Sequence, residues 1–332
     1  MIITLTPNPS VDRAFAVESL GFDGVHRATD VRADAGGKGI NISRALQAQG
    51  IASRAFFPCG GRDGAVLRGL LDSAQVPYSA VDIAGEIRSN VTVSDASGQT
   101  LKVNAPGPTL VPNEVELLIA EVVSAAQMTP SAQYVVAAGS LAPGMPADFY
   151  AQLGSALRKS DSAGQIKFVV DASGDALQQA VASAAPGELW MIKPNHEELQ
   201  ELSGLPCQTV GEIVAAARAV IADGVTQLLV SLDAHGALLV TADHVWWAGG
   251  PSLTPVSTVG AGDLTLAGFL SSPLPDESRL AAAVTWGRAA VLQPGTGVPG
   301  PYDLDASAVT VVRNPDWGIG VGDLVRVLVA GE

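Results

Sequence analysis

Cysteine is nearly absent from this chain: 332 residues carry two, Cys59 and Cys207, far apart and outside any CxxC. That pattern reads as buried thiols in a reducing compartment rather than a disulfide scaffold or a thiolate metal site. Histidine is as scarce. His26, His196, His235 and His244 form no HExxH or paired-ligand pattern, so they read as surface or loop residues, not zinc ligands. Cations are outnumbered, 19 Lys and Arg against 33 Asp and Glu, for a net charge of −14. Such an acidic surface argues against nucleic acid and against anionic membranes as partners. A phosphorylated small molecule stays compatible, because a few local cations suffice to hold it. No apolar run is long enough to span a bilayer, and the opening MIITLTPNPSVD has neither the basic segment nor the apolar stretch of a signal peptide. The expected location is therefore cytoplasmic. GxxxxGK[ST] is missing, and no GxGxxG follows the first expected strand, which counts against a Walker-type phosphate loop and a nicotinamide-dependent enzyme.

What the chain does have is a 47% hydrophobic composition, enough to bury one large α/β core. Its most informative stretch is 256–270, VSTVGAGDLTLAGFL. An apolar, β-branched approach meets a turn of small residues, Gly260, Ala261 and Gly262, and a helical pattern starts at Asp263 or Leu264. Unpaired amides at such a helix start, together with its dipole, favour an anion. A carboxylate beside an anion site is electrostatically costly unless it has a task, and proton abstraction from an attacking hydroxyl is the obvious one. On these residues alone, an ordinary Asp N-cap on a Gly-rich turn competes with that reading.

Residues 2–6 predict a first strand, with Asp12 just beyond it. Residues 13–34 alternate loosely, as short antiparallel strands do. AGGKGIN follows, placing Gly36, Gly37 and Lys38 at the start of a helix over 42–49, another candidate anion or polyol site. A strand over 51–57 and a helix over 65–74 precede a hairpin, 88–93 and 99–103. Arg88 and Asn90, two apart, share one face of its first strand: a fork donor suited to phosphate and an amide suited to hydroxyls, or simply a polar outer face. From 109 onward helices (113–126, 147–159, 173–184, 210–223) alternate with strands (134–138, 167–171, 190–192, 227–232, 237–240), the signature of a mostly parallel sheet with helices on both faces. Asp12, Ser140, Asp171, Asn195 and Ser231 each follow a strand pattern directly, where open sheets gather ligands. Asn195 and Glu198 form an N-x-x-E pair. It suits the water shell of a magnesium ion and equally a capping box; the two are compatible. After a helix over 277–292 and a loop over 293–297, the tail from 298 onward carries no readable chemistry, and 314–332 reads as an added strand pair or a mobile end. The weaker alternation at 13–34 and 88–104 predicts a small β lid inserted into one α/β body spanning the whole chain, 1–332.

Taken together, TLTPNPSVDR, AGGKGINISRAL, IRSN, NAPGP, GSLAPG, VDASGDAL, IKPNHEEL, SLDAHGAL and STVGAGD resemble, in this order, the motifs of the ribokinase-like (pfkB) sugar kinases. The nearest branches are the 1-phosphofructokinases and, close behind, the tagatose-6-phosphate kinases, which typically carry GKG as at Gly37 to Gly39; 6-phosphofructokinases of the family usually have glycine at the Lys38 position. The resemblance implies a three-layer α/β/α sandwich with a β lid that often packs on a partner's lid in a homodimer. It implies phosphoryl transfer from Mg-ATP to a phosphorylated ketohexose, with a monovalent-cation requirement left open. Asp263 matches the family's catalytic base, and Gly260, Ala261 and Gly262 its anion hole. Asp12, Gly36, Gly37 and Asn41 match sugar-hydroxyl positions, with Asn90 beside them. Lys38, Arg88, Arg27 and Ser140 are the candidates for the sugar's existing phosphate. Asn195 and Glu198 match the magnesium and phosphate motif next to Lys193; Ser231, Asp233, Gly236 and Gly295 fall at the nucleotide rim. Two departures stand out: Leu264 where a small residue is usual, and Asp233 where glycine is usual.

Overall fold

The computed structural model describes residues 1–21, 23–129, 133–161 and 164–331. Phe22, within the expected lid, and Glu332, at the end of the tail, lie outside that description. The strands are β1 (Ile2–Leu5), β2 (Ser10–Val17), β3 (Ala28–Gly36), β4 (Ser53–Cys59), β5 (Tyr78–Asp82), β6 (Arg88–Asp95), β7 (Thr100–Asn104), β8 (Tyr134–Ala138), β9 (Lys167–Asp171), β10 (Met191–Ile192), β11 (Gln227–Ser231), β12 (Ala237–Thr241), β13 (Val245–Gly249) and β14 (Thr310–Arg313). The helices are α1 (Lys38–Ala48), α2 (Gly61–Ser73), α3 (Pro112–Met128), α4 (Phe149–Ser160), α5 (Gly174–Ser183), α6 (His196–Ser203), α7 (Val210–Ala222), α8 (Ala261–Leu270) and α9 (Asp276–Ala290).

Ten strands form the main sheet in the order β14-β13-β12-β11-β10-β9-β8-β1-β4-β5. From β5 to β11 all neighbours are parallel; β12, β13 and β14 add on antiparallel. The parallel strands are near-continuous apolar runs because both of their faces are covered. Successive residues alternate between two cores. Ile3, Leu5, Val135, Val170 and Val230 pack with α3 to α7, whereas Ile2, Val136, Val169 and Leu229 pack with α1, α8 and α9. A third cluster seats α2, through Leu67 and Leu71, on Phe57 and Val11. The arrangement is the three-layer sandwich expected.

A separate four-stranded sheet, β3-β2-β6-β7, stands over the carboxyl ends of the strands near β1. Its register stacks Asp34, Asp12, Asn90 and Asn104 in one row and Arg32, Ala14, Thr92 and Lys102 in the next; both rows line the cleft beneath. The intervening rows, Val31-Phe15-Val93-Leu101 and Ala33-Arg13-Val91-Val103, therefore occupy the outer face.

Several expected boundaries move. The strand expected at 51–57 runs from Ser53 to Cys59, and β5 and β13 were not foreseen. The apolar approach to the glycine turn is a loop: residues 250–260 carry no ladder, and Val256 and Ser257 donate to the Val291 carbonyl at 2.8 and 3.2 Å. The helix after it begins at Ala261, two residues early, which draws Gly262 and Asp263 into its first turn. The tail is neither a strand pair nor a loose end. One strand, β14, closes the sheet edge beside β13, and residues beyond it dock on α7, where Gly211 and Val210 donate to Trp317 and Ile319 carbonyls, both at 2.9 Å.

Candidate active site

Asp263 sits in the first turn of α8 and is only 6% exposed. Gly260, the N-cap, takes the left-handed conformation (φ 81°), a geometry that favours glycine. The helix ladder opens with Leu264 N donating to Gly260 O at 3.0 Å, so the amides of Gly262 and Asp263 precede it. Leu264 itself points into the core shared with α1 and α9.

Asn41, on the buried face of α1, donates its amide to Asp263 Oδ2 at 2.8 Å across 222 residues. Helix α1 starts at Lys38 after Gly37 (φ 119°), where a side chain would strike Thr6. Gly37 cannot cap the helix, and the Thr6 hydroxyl does so instead, accepting from Ile40 N at 2.9 Å. Lys38 Nζ reaches Asp171 Oδ1 at 2.8 Å, and Lys193 Nζ lies 3.2 Å from Asp171 Oδ2. Asp171 ends β9 and has no solvent exposure. Burial pushes the Asp263 carboxyl up, and the nearby Asp171 charge adds to that; Lys38, Asn41 and Lys193 pull the other way, leaving it raised to about 6. Burial would also raise Asp171, but Lys193 and Lys38 outweigh it and hold that carboxyl below the ordinary range. Lys38 loses by burial and gains more from Asp171 and Asp263, so its ammonium is held charged.

Toward the lid, Asp12 Oδ1 accepts from Ser10 Oγ at 2.7 Å and from Asn90 Nδ2 at 2.9 Å. A side chain at Gly36 would collide with both Asp12 and Ser10, which is why the backbone there must be bare. Arg88 donates to the Asn8 and Ala105 carbonyls at 3.0 and 3.3 Å, and Asn8 Nδ2 reaches Ser140 Oγ at 3.4 Å. Arg88 Nε and Asn90 Oδ1 are buried with no protein partner. Polar atoms buried without partners are costly, and a polar ligand would satisfy them. A cleft of about 760 Å³ lies beneath the lid, lined by Asp12, Arg32, Asn90, Lys102, Val259 and Gly295 among others. A second cleft, of about 250 Å³, is bounded by Ser231, Asp233, Gly236, Gly262, Val284 and Arg288 among others. Gly262 borders this second cleft, and Asp263 adjoins it in sequence.

Most of the sequence candidates converge here, and a few stand elsewhere. Arg27 is exposed on the loop joining β2 and β3. Gly295 lies against the Arg32 guanidinium beneath the lid, not with Ser231 and Asp233. Asn195 and Glu198 form a reciprocal capping box on α6, at 2.7 and 2.9 Å. Among the described residues no group of three or more His, Cys, Asp or Glu could cage a metal ion. The sequence reading did not foresee Thr6, Asn8 and Ser10 as supports, nor the clasp of Arg44 on the Ala35 carbonyl and Thr296 hydroxyl at 3.1 and 3.4 Å. It noted Asp171 only as a residue after a strand; a carboxylate closing a run as apolar as KFVVD was the available signal.

The profile of the pfkB family carbohydrate kinases matches residues 8–301. The chain belongs to that family. Among curated relatives of this pfkB kinase, the 1-phosphofructokinase of Bacillus subtilis (strain 168) is 32% identical over 292 residues, 87% of this chain and 92% of that one. The ATP-dependent 6-phosphofructokinase isozyme 2 of Mycobacterium tuberculosis (strain ATCC 25618 / H37Rv) is 34% identical over 310 residues, 92% of this chain and 88% of that one. Among solved structures, phosphofructokinase-2 from Escherichia coli in complex with potassium superposes with a TM-score of 0.83 at 32% identity, covering 91% of this chain and 96% of that one. The pfkB kinase described here thus shares its architecture with phosphofructokinases over nearly all of its length.

Proposed function

We propose that this ATP-dependent sugar-phosphate kinase transfers the γ-phosphoryl group of Mg-ATP to the C6 hydroxyl of fructose 1-phosphate, giving fructose 1,6-bisphosphate and ADP. The observation that carries this reading is the placement of Asp263: buried, fixed by Asn41, in a helix start that borders a second cleft, with the lid's polar face nearby. Asp263 takes the proton from the attacking hydroxyl. Gly260, Ala261 and Gly262 form the anion hole for the charge that develops on the transferring group, the Gly262 amide preceding the helix ladder and the Ala261 amide lying 3.4 Å from the Thr258 carbonyl. Asp12, Asn90, Gly36, Gly37 and Asn41 hold sugar hydroxyls, while Arg88, Ser140 and Lys38 supply the candidates for the phosphate already on the sugar. Arg27, exposed on the loop between β2 and β3, is a further candidate for that phosphate. Ser231, Asp233 and Gly236 border the nucleotide, with Lys193 on the phosphate side. Asn195 and Glu198 fit magnesium through its waters: each lends one oxygen to the capping box, and the pair offers an amide and a carboxylate rather than a cage. Omitting potassium, present with the Escherichia coli protein, from the assay tests whether this chain requires it.

The outer face of the lid supports a homodimer. Val31 and Val103 are 60% and 56% exposed, and Leu101 is 41% exposed, in rows with Phe15, Val91 and Val93. A sheet that turns its apolar face outward needs a cover, and a second lid has the matching shape and chemistry. No described helix is long and apolar enough to cross a membrane, and the acidic chain suits a cytoplasmic enzyme of small molecules.

A second reading keeps the chemistry and changes the sugar to fructose 6-phosphate or tagatose 6-phosphate. It is favoured by the Mycobacterium tuberculosis relative, named for the 6-phosphate and no less similar than the Bacillus protein. A sensor without turnover has less behind it, since Leu264 is turned into the core and Asp233 lies at the cleft mouth. The deciding experiment is ADP release by the purified protein with Mg-ATP and each of the three sugar phosphates at equal low concentration. Preference for fructose 1-phosphate is expected. Preference for a 6-phosphate replaces the substrate, and no turnover on any of them overturns the kinase reading.

A further inference from the structure

Lys38 and Lys193 come from elements 155 residues apart in sequence, and Asp171 pairs with both. Each lysine takes a different oxygen, Lys38 Nζ on Oδ1 at 2.8 Å and Lys193 Nζ on Oδ2 at 3.2 Å. The carboxylate is fully buried at the end of a central strand, where its position is set by the sheet. Its main-chain carbonyl also accepts from Gly139 N at 2.9 Å, tying in the loop that carries Ser140. On one side, Lys38 opens α1 from the glycine turn beneath the lid. On the other, Lys193 Nζ is the nearest atom to the space above Gly262, 3.3 Å from where a β-carbon would stand, and so faces the turn at the start of α8.

Given the kinase reading above, we infer that Asp171 is a positioning residue, a clamp that fixes the ammonium groups of Lys38 and Lys193 at two points beside Asp263. A lysine is a flexible stem ending in a point charge, and holding one such charge in place costs side-chain entropy. Phosphoryl transfer is served by charges fixed before the reaction starts, because fixed charges need no reorganisation as negative charge develops. A clamp on a rigid strand end meets that need twice over. The charge count agrees: two lysines and two aspartates leave the cluster neutral, so neither carboxylate is buried alone. The groups facing Asp263 are Asp171 from β9, Lys38 and Asn41 from α1, and Lys193 from the segment after β10.

The test is Asp171→Asn in the full chain, with kcat, both KM values and the pH dependence of kcat/KM read from ADP release. Asparagine keeps the shape and removes the charge. The expected result is a fall in kcat of about 100-fold, the size of a small misplacement of reacting groups, with each KM changed about fivefold or less. The acid limb of the profile shifts to lower pH, because Asp171 no longer opposes the ionised form of Asp263 while both lysines still favour it. A network that serves folding alone lowers Tm and leaves kcat of the folded protein near that of wild type, while the limb moves in either case because the Asp171 charge is gone. A variant with kcat within about threefold of wild type overturns the inference while leaving the kinase reading intact; a wild type without turnover overturns both. Should Asp171→Asn fail to fold, Lys38→Met and Lys38→Met/Asp171→Asn carry the same comparison with one half-buried positive charge removed. The double variant then falls further in kcat than the single one, because Lys193 also loses its anchor, and equal kcat values overturn the clamp.

Discussion

The side-chain amide of Asn41 donates to Asp263 Oδ2 at 2.8 Å, joining the buried face of α1 to the first turn of α8. One oxygen of the carboxylate is thereby oriented, which leaves the other to meet a substrate hydroxyl. The hydrogen bond also stabilises the ionised form, offsetting part of the upward push from burial and from Asp171. Replacing Asn41 with alanine removes that donor, so the Asp263 carboxyl rises further and the acid limb of kcat/KM moves up in pH. A hydrogen bond to a charged group contributes about 1.5–3 kcal/mol, so a loss of roughly tenfold or more in kcat/KM at neutral pH is expected. A profile unchanged from wild type would show that Asn41 does not orient the base.

In its proposed role as base, Asp263 sets stability against activity. Its folded-state carboxyl, raised to about 6, lies above its unfolded value of 3.8. A carboxyl raised by folding favours the folded state fully below its unfolded value, and that contribution is lost as pH climbs through about 6. Asp263→Asn escapes the loss. The variant is expected to be more stable than wild type at pH 8, on the order of 2 to 3 kcal/mol, with the difference shrinking toward pH 4. Turnover falls by about 10² to 10⁴. Denaturant titrations at the two pH values check the sign, and ADP release checks the cost. A variant that keeps its activity takes Asp263 out of the role of base.

Reading the sequence located the ends of these pieces better than their partners. Tyr134–Ala138 and Lys167–Asp171 were expected to the residue, because strands buried on both faces are written as unbroken apolar runs. Strand β5 was missed because YSAVD is short and half polar, as an edge strand permits, and β13 because VWWAG follows its neighbour after a turn too brief to mark it. The glycine turns announced themselves through local chain geometry. The contacts that give them chemistry did not: Lys38 and Asp171 are 133 residues apart, and Asn41 and Asp263 are 222 apart. Nothing in local pattern encodes such pairs, and only the sheet order brings them together. The GAGD and N-x-x-E motifs could be read for type of chemistry, whereas the balance of charge around Asp263 needed coordinates.

The lid makes a prediction about assembly. Val31 and Val103 lie in adjacent rows of its outer face and leave more than half of their surface in water. A glutamate at either position, on the two edge strands of that face, places a charge within any contact that covers the whole lid, where it must be desolvated without a partner. Val31→Glu and Val103→Glu are expected to yield monomers by light scattering where wild type is a dimer, with KM for the sugar phosphate raised more than KM for ATP, because the inner face of the same strands lines the cleft proposed for the sugar phosphate. A monomeric wild type, or a Val103→Glu dimer of unchanged mass, would remove the lid from the interface.

Asp233 shows why a glycine is usual at its place. Its φ of 52° is left-handed, a conformation that costs a non-glycine residue about 1 kcal/mol. It sits at the mouth of the cleft bounded by Ser231, Gly236 and Gly262, facing solvent, where a carboxylate repels a triphosphate only through screened interactions. Asp233→Gly removes both penalties, though it adds chain entropy to the unfolded state, which offsets part of the relief in strain. The expected outcome is a Tm unchanged or slightly higher and a KM for ATP lowered by about two- to threefold at low salt, converging on wild type as ionic strength rises and screening takes over. A lower KM that persists at high salt would assign the effect to backbone geometry at the rim rather than to the charge. A raised KM would mean that the Asp233 carboxylate contributes favourably to nucleotide binding, through a contact to the ribose or to the magnesium shell, and would reverse the sign argued here.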